Sequence, residues 1–242
     1  MTIEKEKFWR AHRFLSGSAI PVGDTKLSSN QVIQGLSEFI TEERKSRIDE
    51  VLKGRTRSII PVMENIYDRG NISAAMRSAE AYGFFEFHII ESEDARFKSA
   101  NRVTQGADKW LDVREYGRTA TCIKDLKQRG YKIYATDLKS SVPISDIDFT
   151  EPSAIIFGNE KEGISAEATE LADQNIILPM TGFSQSFNIS VAAALSFYHI
   201  WLARNQTQGH SGDLSTEQFE ELKAYYYYKA VKNPEQLLNT LK

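Results

Sequence analysis

From Ser58 onward, short apolar runs alternate with longer stretches whose apolar residues recur every three or four positions. Ser58-Ile59-Ile60-Pro61-Val62-Met63 reads as a strand, and Pro61, which cannot donate to a ladder, places it near a sheet edge. Asn71, a good N-cap type, opens a helix with Ile72, Ala75, Met76 and Ala79 on its inner face and Gly83 at its end. Residues 85–90 follow as a strand, residues 121–129 as a helix closed by Gly130, and residues 131–136 and 153–157 as two more strands. Ser165 caps a helix that runs to Leu171. Ile176-Ile177-Leu178 makes a last short strand, stopped by Pro179. The polar turn Thr181-Gly182-Phe183-Ser184-Gln185-Ser186 then leads to Asn188, a second N-cap type, and to a run of small and apolar residues, 189–195. This alternation predicts an α/β fold, a mostly parallel sheet with helices on both faces, and places ligands at the carboxyl ends of its strands.

The flanks carry weaker patterns. Phe8, Trp9 and Phe14 point to docking rather than full disorder, and residues 21–30, rich in turn formers, read as a linker. Thr41 caps a helix with Glu42 and Glu43 in its first turn, Ile48, Val51 and Leu52 on one face, and Gly54 at its end. Residues 205–212 read as a polar linker, and Ser215 to Gln218 has the spacing of a capping box, which predicts a C-terminal helix with Phe219, Leu222 and Tyr226 on one face. The chain divides on this reading into an N-terminal arm, 1–40, a core, 41–205, and a C-terminal helical arm, 206–242.

Composition removes several function classes. The single cysteine, Cys122, excludes an intrachain disulfide and a cysteine metal cluster, and no other metal constellation appears. The first residues, MTIEKEKFWRAHRF, lack an apolar signal core, and the longest apolar run, 189–203, is shorter than a membrane span and holds His199. A cytoplasmic protein with no membrane partner is expected. The formal net charge is −3, but it is unevenly spread. Arg44, Lys45, Arg47, Lys53, Arg55 and Arg57 form one basic stretch, and Arg96, Lys98, Arg102 and Lys109 a second. One such run is usually a solvated helix face, yet a local basic face is also what an RNA backbone feels.

Three strand-to-loop stations carry the candidate chemistry. The first is NIYDRGNISAAMRSAEAYG, residues 65–83, with Asp68 and Arg69 in the loop and Arg77 two turns into the helix. The second is FGNEKEGIS, residues 157–165. Its G-x-x-x-x-G spacing is that of a phosphate loop, but Ile164 stands where the lysine must be, so that reading fails. No G-x-G-x-x-G follows a strand, which weakens a nicotinamide or flavin reading. The third is the stretch 176–195. Singly, each is ordinary turn chemistry, and His12, His88, His199 and His210 lie outside all three.

In this order the stations resemble the three motifs of the SPOUT methyltransferases, in the SpoU branch of RNA ribose 2′-O-methyltransferases. Asn71 and Arg77 match in NISAAMRSAEAYG, Glu160 in FGNEKEGIS, and Ser186 and Asn188 in LPMTGFSQSFNISVAAAL. The resemblance spans residues 42–205, and within the branch the chain is most similar to enzymes that methylate guanosine 18 of the tRNA D-loop. It implies a C-terminal trefoil knot (an α/β knot), helical arms at both ends, and a homodimer. It implies S-adenosylmethionine in the knot, lined by Thr136, Gly158, Leu178 and Phe187, the last standing where leucine is usual. A large side chain at Gly158 should then block the ligand with the fold intact. The catalytic set would be Arg77, Asn71, Glu160, Ser186 and Asn188, with Arg77 activating the hydroxyl and holding a phosphate, and Glu160 orienting Arg77 or touching substrate. Arg44, Arg47, Arg55 and Arg57 would meet the tRNA. Ribosomal RNA stays open as the substrate, and a catalytically silent RNA-binding knot protein is the rival of a different class.

Overall fold

The computed structural model describes residues 20–22, 25–91, 106–138 and 141–239. The chain divides into two compact units, Met1–Leu52 with Ser215–Lys242, and Lys53–Leu214.

In the first unit, β1 (Ile20–Val22) and β2 (Thr25–Leu27) pair antiparallel, and α1 (Ser29–Ser37) follows directly. The described part of residues 21–30 is therefore two paired strands and a helix start, not a linker. Ser28 and Gln31 explain the difference: the Ser28 hydroxyl accepts from the Gln31 N–H and the Gln31 side chain reaches back to the Ser28 N–H, a capping box hidden among turn formers. Helix α2 (Glu42–Lys53) starts at Thr41, whose hydroxyl accepts from the Arg44 N–H, and it buries Ile48 and Leu52. The expected Ser215–Gln218 capping box forms at the start of the helix Thr216–Ala230, which packs on α1 and buries Leu222 and Tyr226. Lys223 of that helix meets Asp49 of α2 at 2.8 Å.

The second unit is built on a seven-stranded sheet. Its strands are β3 (Ile59–Glu64), β4 (Glu86–Ile90), β5 (Asp112–Tyr116), β6 (Lys132–Thr136), β7 (Val142–Pro143), β8 (Ser153–Phe157) and β9 (Gln174–Ile177). They lie in the order β5-β4-β3-β8-β6-β9-β7, and every neighbouring pair is parallel. Between them run α3 (Arg69–Ala81), α4 (Thr119–Gln128) and α5 (Ala166–Leu171), and after β9 comes α6 (Ile189–Gln208). The helices Thr216–Ala230 and Pro234–Asn239 complete the chain as α7 and α8.

Alternation along the strands sorts side chains to two faces. Ile59, Met63, Ile155 and Phe157 pack with Ile72, Ala75, Met76 and Ala79 of α3 and with Ala193, Phe197 and Ile200 of α6. Ile60, Val62, Ala154 and Ile156 pack with Cys122, Ile123 and Leu126 of α4 and Ala168 of α5. Burial on both faces is why these strands read as unbroken apolar runs.

Three boundaries differ from the sequence reading. β3 is a central strand, paired with β4 and β8, so Pro61 does not mark an edge. Asn65 donates its N–H to Ile90 O, so by the two-residue period odd-numbered positions of β3 face β4. The chain advances further from Thr56 to Val62 than its partner does from Phe84 to His88, so residues 57–61 bulge. The missing N–H of Pro61 falls in that bulge, before the β3–β4 ladder begins. Helix α3 starts at Arg69 with Asp68, not Asn71, as its cap: Asp68 Oδ1 accepts from the Gly70 N–H at 2.7 Å. Residues 205–208 continue α6 rather than forming a linker, with Asn205 Nδ2 donating back to Trp201 O and Gly209 closing the helix at φ 79°. The charged strand β5 and the two-residue strand β7 add to the five strands expected.

At the amino end of β4, the fully buried Glu86 collects Arg129 at 2.7 Å, Arg114 at 3.3 Å, Arg57 at 3.6 Å and His88 at 3.4 Å. Burial pushes its carboxyl up, but the His88 hydrogen bond and the charges of Arg114 and Arg129 outweigh that and hold it well below the usual carboxylate range. Burial also drives His88 down, so the imidazole is neutral. Its Nε2–H then donates to Glu86, while Nδ1 accepts from the Cys122 thiol at 3.7 Å, which burial keeps protonated. Glu86→Gln is expected to destabilise the protein by about 3–5 kcal/mol, because arginines stay buried beside a lost charge. The stabilisation from Glu86 is present above its unfolded pKa of about 4.3 and is lost as pH falls through the lower folded value. Melting temperatures followed by circular dichroism from neutral to acid pH should thus fall more gently in Glu86→Gln than in wild type. Parallel curves would remove Glu86 from the acid response.

Candidate active site

The carboxyl ends of β3, β8, β6 and β9, four neighbours in the sheet, deliver the stations to one place. A cavity of about 550 Å³ opens there, walled by Thr136 after β6, Gly158 to Ile164 after β8, Ile176 to Leu178 at β9, and Ser186 to Ala192 at the start of α6. All four residues assigned to the cofactor, Thr136, Gly158, Leu178 and Phe187, line it, as do Glu160, Ser186 and Asn188. Asn71 and Arg77 do not. The Thr136 hydroxyl donates to Ile156 O at 3.0 Å and so faces β8.

The loop after β8 is tightly folded. Asn159 and Gly163 exchange both backbone hydrogen bonds at 2.8 Å. Asn159 Oδ1 accepts from the Lys161 N–H at 2.8 Å, and Nδ2 donates to Asn65 O at 2.6 Å, tying this loop to the one after β3. Asn65 itself holds φ 51°, a left-handed conformation that asparagine tolerates. The fold of the loop brings Gly163 C and Ile164 N to 2.3 Å from where a Cβ on Gly158 would lie. The expectation that a large side chain at Gly158 leaves the fold intact is therefore wrong, since the collision is with backbone. Beneath the loop, the buried Glu64 accepts from the Ser165 N–H at 2.9 Å and from the Ser165 hydroxyl at 2.7 Å, and so anchors the start of α5. Sequence reasoning missed Glu64, Asn65 and Asn159. A carboxylate ending an apolar strand, and an amide directly after the glycine that follows another, were the available signals.

A chain of polar side chains crosses the stations. Asn188 Oδ1 caps α6, accepting from the Ser190 N–H at 2.9 Å and the Val191 N–H at 3.3 Å. That fixes its Nδ2 as a donor, to Asn71 Oδ1 at 3.2 Å, and Asn71 Nδ2 in turn donates to Glu160 Oε1 at 2.8 Å. The other Glu160 oxygen accepts from the Tyr67 N–H at 3.0 Å. A helix cap at one end and a carboxylate at the other thus set the orientation of both amides. Because Asp68 has taken the cap of α3, the Asn71 side chain is released for this role. Burial raises the Glu160 carboxyl, but the donors on it, led by Asn71, together outweigh that and bring it below its ordinary value. It is an ionised acceptor that positions two loops.

Arg77 is exposed on α3 and makes no hydrogen bond or ion pair among the described residues, so Glu160 does not orient it here. Six residues beyond Asn71, it stands about 120° round the helix and about 9 Å along it. Ser186 is also exposed, with its hydroxyl unbonded among the described residues. The basic group assigned to RNA is divided. Arg44 and Arg47 are exposed on α2, Arg47 beside Glu50. Arg55 is fully buried, donating to Glu80 O at 2.9 Å and pairing with the Glu80 carboxylate, so it cannot meet RNA. Arg57 is committed to Glu86. Arg96, Lys98 and Arg102 lie outside the described residues, while Lys109 rests over the Trp110 ring at 5.5 Å. Among the described residues there is no cluster suited to a metal ion, and no helix is long and apolar enough to cross a membrane.

The same architecture occurs in known proteins. The model of the SpoU rRNA Methylase family matches residues 58–198. Over 199 residues the chain is 37% identical to a tRNA (guanosine(18)-2′-O)-methyltransferase of Borreliella burgdorferi, covering 82% of this chain and 90% of that one. It is 32% identical over 205 residues to a protein of the same name from Aquifex aeolicus, covering 84% and 97%. The crystal structure of an A. aeolicus TrmH/SpoU tRNA modifying enzyme superposes with a TM-score of 0.72 at 33% identity, over 79% of this chain and 98% of that one. With its three stations joined at the carboxyl ends of neighbouring strands and a family match over the whole of them, this chain belongs to the SpoU methylase family.

Proposed function

We propose that this protein transfers the methyl group of S-adenosylmethionine to a ribose 2′-hydroxyl of tRNA, that of guanosine 18 in the D-loop. The observation that carries the reading is the oriented chain Asn188–Asn71–Glu160, drawn from three strand-end loops, at the rim of a cavity of about 550 Å³. That volume lies within the range of about 300–1,000 Å³ for small-molecule sites. Its walls suit the cofactor: Ile164, Ile176, Leu178 and Phe187 offer apolar surface to a base and aliphatic chain, and the Glu160 and Glu162 carboxylates offer charge to a sulfonium. When bound, the cofactor supplies a methyl group already activated for transfer.

The remaining work is alignment and the fate of one proton. Asn71 and Ser186 supply neutral hydrogen bonds for ribose and phosphate. Arg77 holds the phosphate beside the hydroxyl and activates that hydroxyl while itself remaining protonated, as arginine does, so that as the O–CH3 bond forms and the S–CH3 bond breaks the hydroxyl proton leaves to solvent water. Val191, Leu195 and Tyr198 are exposed on α6 at helical spacing, an apolar stripe that supports a homodimer with α6 in the interface. The return of α6 to pack with α3, after β8 has entered the sheet between β3 and β6 and β9 between β6 and β7, supports a trefoil knot over the last part of the core. Residues 41–205 would be the methyltransferase core of a cytoplasmic enzyme, and residues 1–40 and 206–242 its N-terminal and C-terminal arms.

Methyl transfer from labelled S-adenosylmethionine to bulk tRNA and to ribosomal RNA, followed by nucleoside mapping, tests this. Label is expected as 2′-O-methylguanosine in tRNA. Label in ribosomal RNA alone would assign the other substrate, and none in either RNA would favour a silent RNA-binding protein. Arg44 and Arg47 serve RNA affinity, so replacing both with glutamine should lower the salt dependence of tRNA binding by about one log–log unit for each phosphate no longer neutralised. An unchanged slope would make this face of α2 a solvated one.

A further inference from the structure

We propose that Tyr67, with Lys161 beside it, is the platform on which the base of the target nucleotide stacks. The proposal rests on the RNA ribose methyltransferase reading and names a specificity contact for it. Tyr67 is 75% exposed, on the loop that leads from β3 to α3. A tyrosine ring left so far in water buries little apolar surface and contributes little to folding. Yet the structure holds it in place from two sides. Its backbone N–H is bonded to Glu160 Oε2 at 3.0 Å, and the Lys161 ammonium lies 4.5 Å from its ring centroid. Lys161 is fixed in turn, its N–H bonded to Asn159 Oδ1 at 2.8 Å, and it lines the cavity.

Two loops, each tethered by side chains of the site, thus present an exposed aromatic ring with a cation over one face, leaving the opposite face for a base. A single ring is too small a surface for a protein partner, whereas a nucleobase matches it in size. Stacking of a base on an aromatic side chain is worth about 1–3 kcal/mol and tolerates any base, with a contribution from a neighbouring cation. The placement identifies which base. Glu160 holds Asn71 by one oxygen and Tyr67 by the other. If Asn71 serves the ribose, the same carboxylate holds the backbone that carries the ring, which keeps the ribose contact and the ring in one unit. The ligand class is therefore a nucleotide whose base is turned out of its RNA stack.

The substitution Tyr67→Leu removes the ring and leaves the backbone N–H on Glu160, so the site chain stays assembled. Single-turnover methylation at saturating tRNA should fall by about 10–100-fold in Tyr67→Leu, the range that stacking energies imply. Tyr67→Phe and Tyr67→Trp should retain the rate, and cofactor affinity by calorimetry should be unchanged in all, because Tyr67 does not line the cavity. A tRNA carrying 2-aminopurine at the target position supplies a readout that a purely structural role would not move. Its fluorescence should be quenched by wild type and by Tyr67→Trp, but not by Tyr67→Leu. Wild-type rate and quenching in Tyr67→Leu would overturn the platform while leaving the methyltransferase reading intact. A wild-type enzyme that methylates no RNA would overturn both.

Discussion

Replacing Arg77 with alanine is expected to lower the single-turnover rate of methyl transfer by about 10²–10³-fold, the usual loss for one preorganised donor at a reacting centre. Affinity for S-adenosylmethionine should stay near wild type, because Arg77 lies outside the cavity wall. Folding should be little affected, since the side chain is exposed and makes no hydrogen bond or ion pair among the described residues. An exposed arginine held by nothing among the described residues is available to a ligand. Lysine at this position is the sharper test. It keeps the charge but lacks the planar fork that can grip a phosphate and a hydroxyl oxygen together. If geometry governs the step, Arg77→Lys should remain near the alanine rate, and single-turnover kinetics at saturating tRNA would separate this from weaker RNA binding. A lysine variant close to wild type would reduce the role to charge alone, and a fully active alanine variant would take Arg77 out of the reaction.

The parallel core was legible because its strands are buried on both faces. Ser153–Phe157 and the helix from Ser165 to Leu171 fall where the sequence put them. β5 was missed for the opposite reason. Asp112-Val113-Arg114-Glu115-Tyr116 is rich in charge, and what holds Arg114 there is split between Asp112 of its own strand and the buried Glu86 of β4, 28 positions earlier in the chain. Pro61 misled because the rule about proline in sheets concerns one N–H, and here a bulge supplies a place where none is needed. The cap of α3 was misplaced by one turn since Asp68 and Asn71 are both competent caps, and only the fold shows that Asn71 has another partner.

The site was legible in its residue types and not in its connections. Thr136, Gly158, Leu178 and Phe187 converge on one cavity, which the motif order anticipated. That Asn71 bridges Asn188 and Glu160 depends on hydrogen bonds between residues 117 and 89 positions apart in sequence. The basic stretch around α2 shows the same limit. Arg47 and Arg55 look alike in sequence, yet one is in water and the other is fully buried against Glu80. Charge is local information, while burial depends on elements that arrive later in the chain.

Gly158→Ala should weaken S-adenosylmethionine binding by at least about tenfold, or about 1.4 kcal/mol, through the shape of the loop rather than by filling the cavity. The added Cβ would lie 2.3 Å from Gly163 C and from Ile164 N, and backbone cannot swing aside as a flexible side chain can. The loop must open, and opening it strains the two 2.8 Å bonds between Asn159 and Gly163. Glu160 rides on that loop, so its hold on Asn71 and Tyr67 is disturbed as well. A loss of stability of about 1–3 kcal/mol, typical of overpacking, should accompany the loss of binding. Gly163→Ala is the matching control. Gly163 holds φ +73° but has open space where its Cβ would go. It should lose about 1–2 kcal/mol of stability to backbone strain and keep most of its affinity. Calorimetric titration with the cofactor, run beside thermal unfolding on both variants, separates the cases. If Gly158→Ala binds as tightly as wild type, the loop yields without consequence and does not shape the cavity. If both variants lose binding in proportion to their stability, the defect is a general softening of the loop, and Gly158 has no special place in the site.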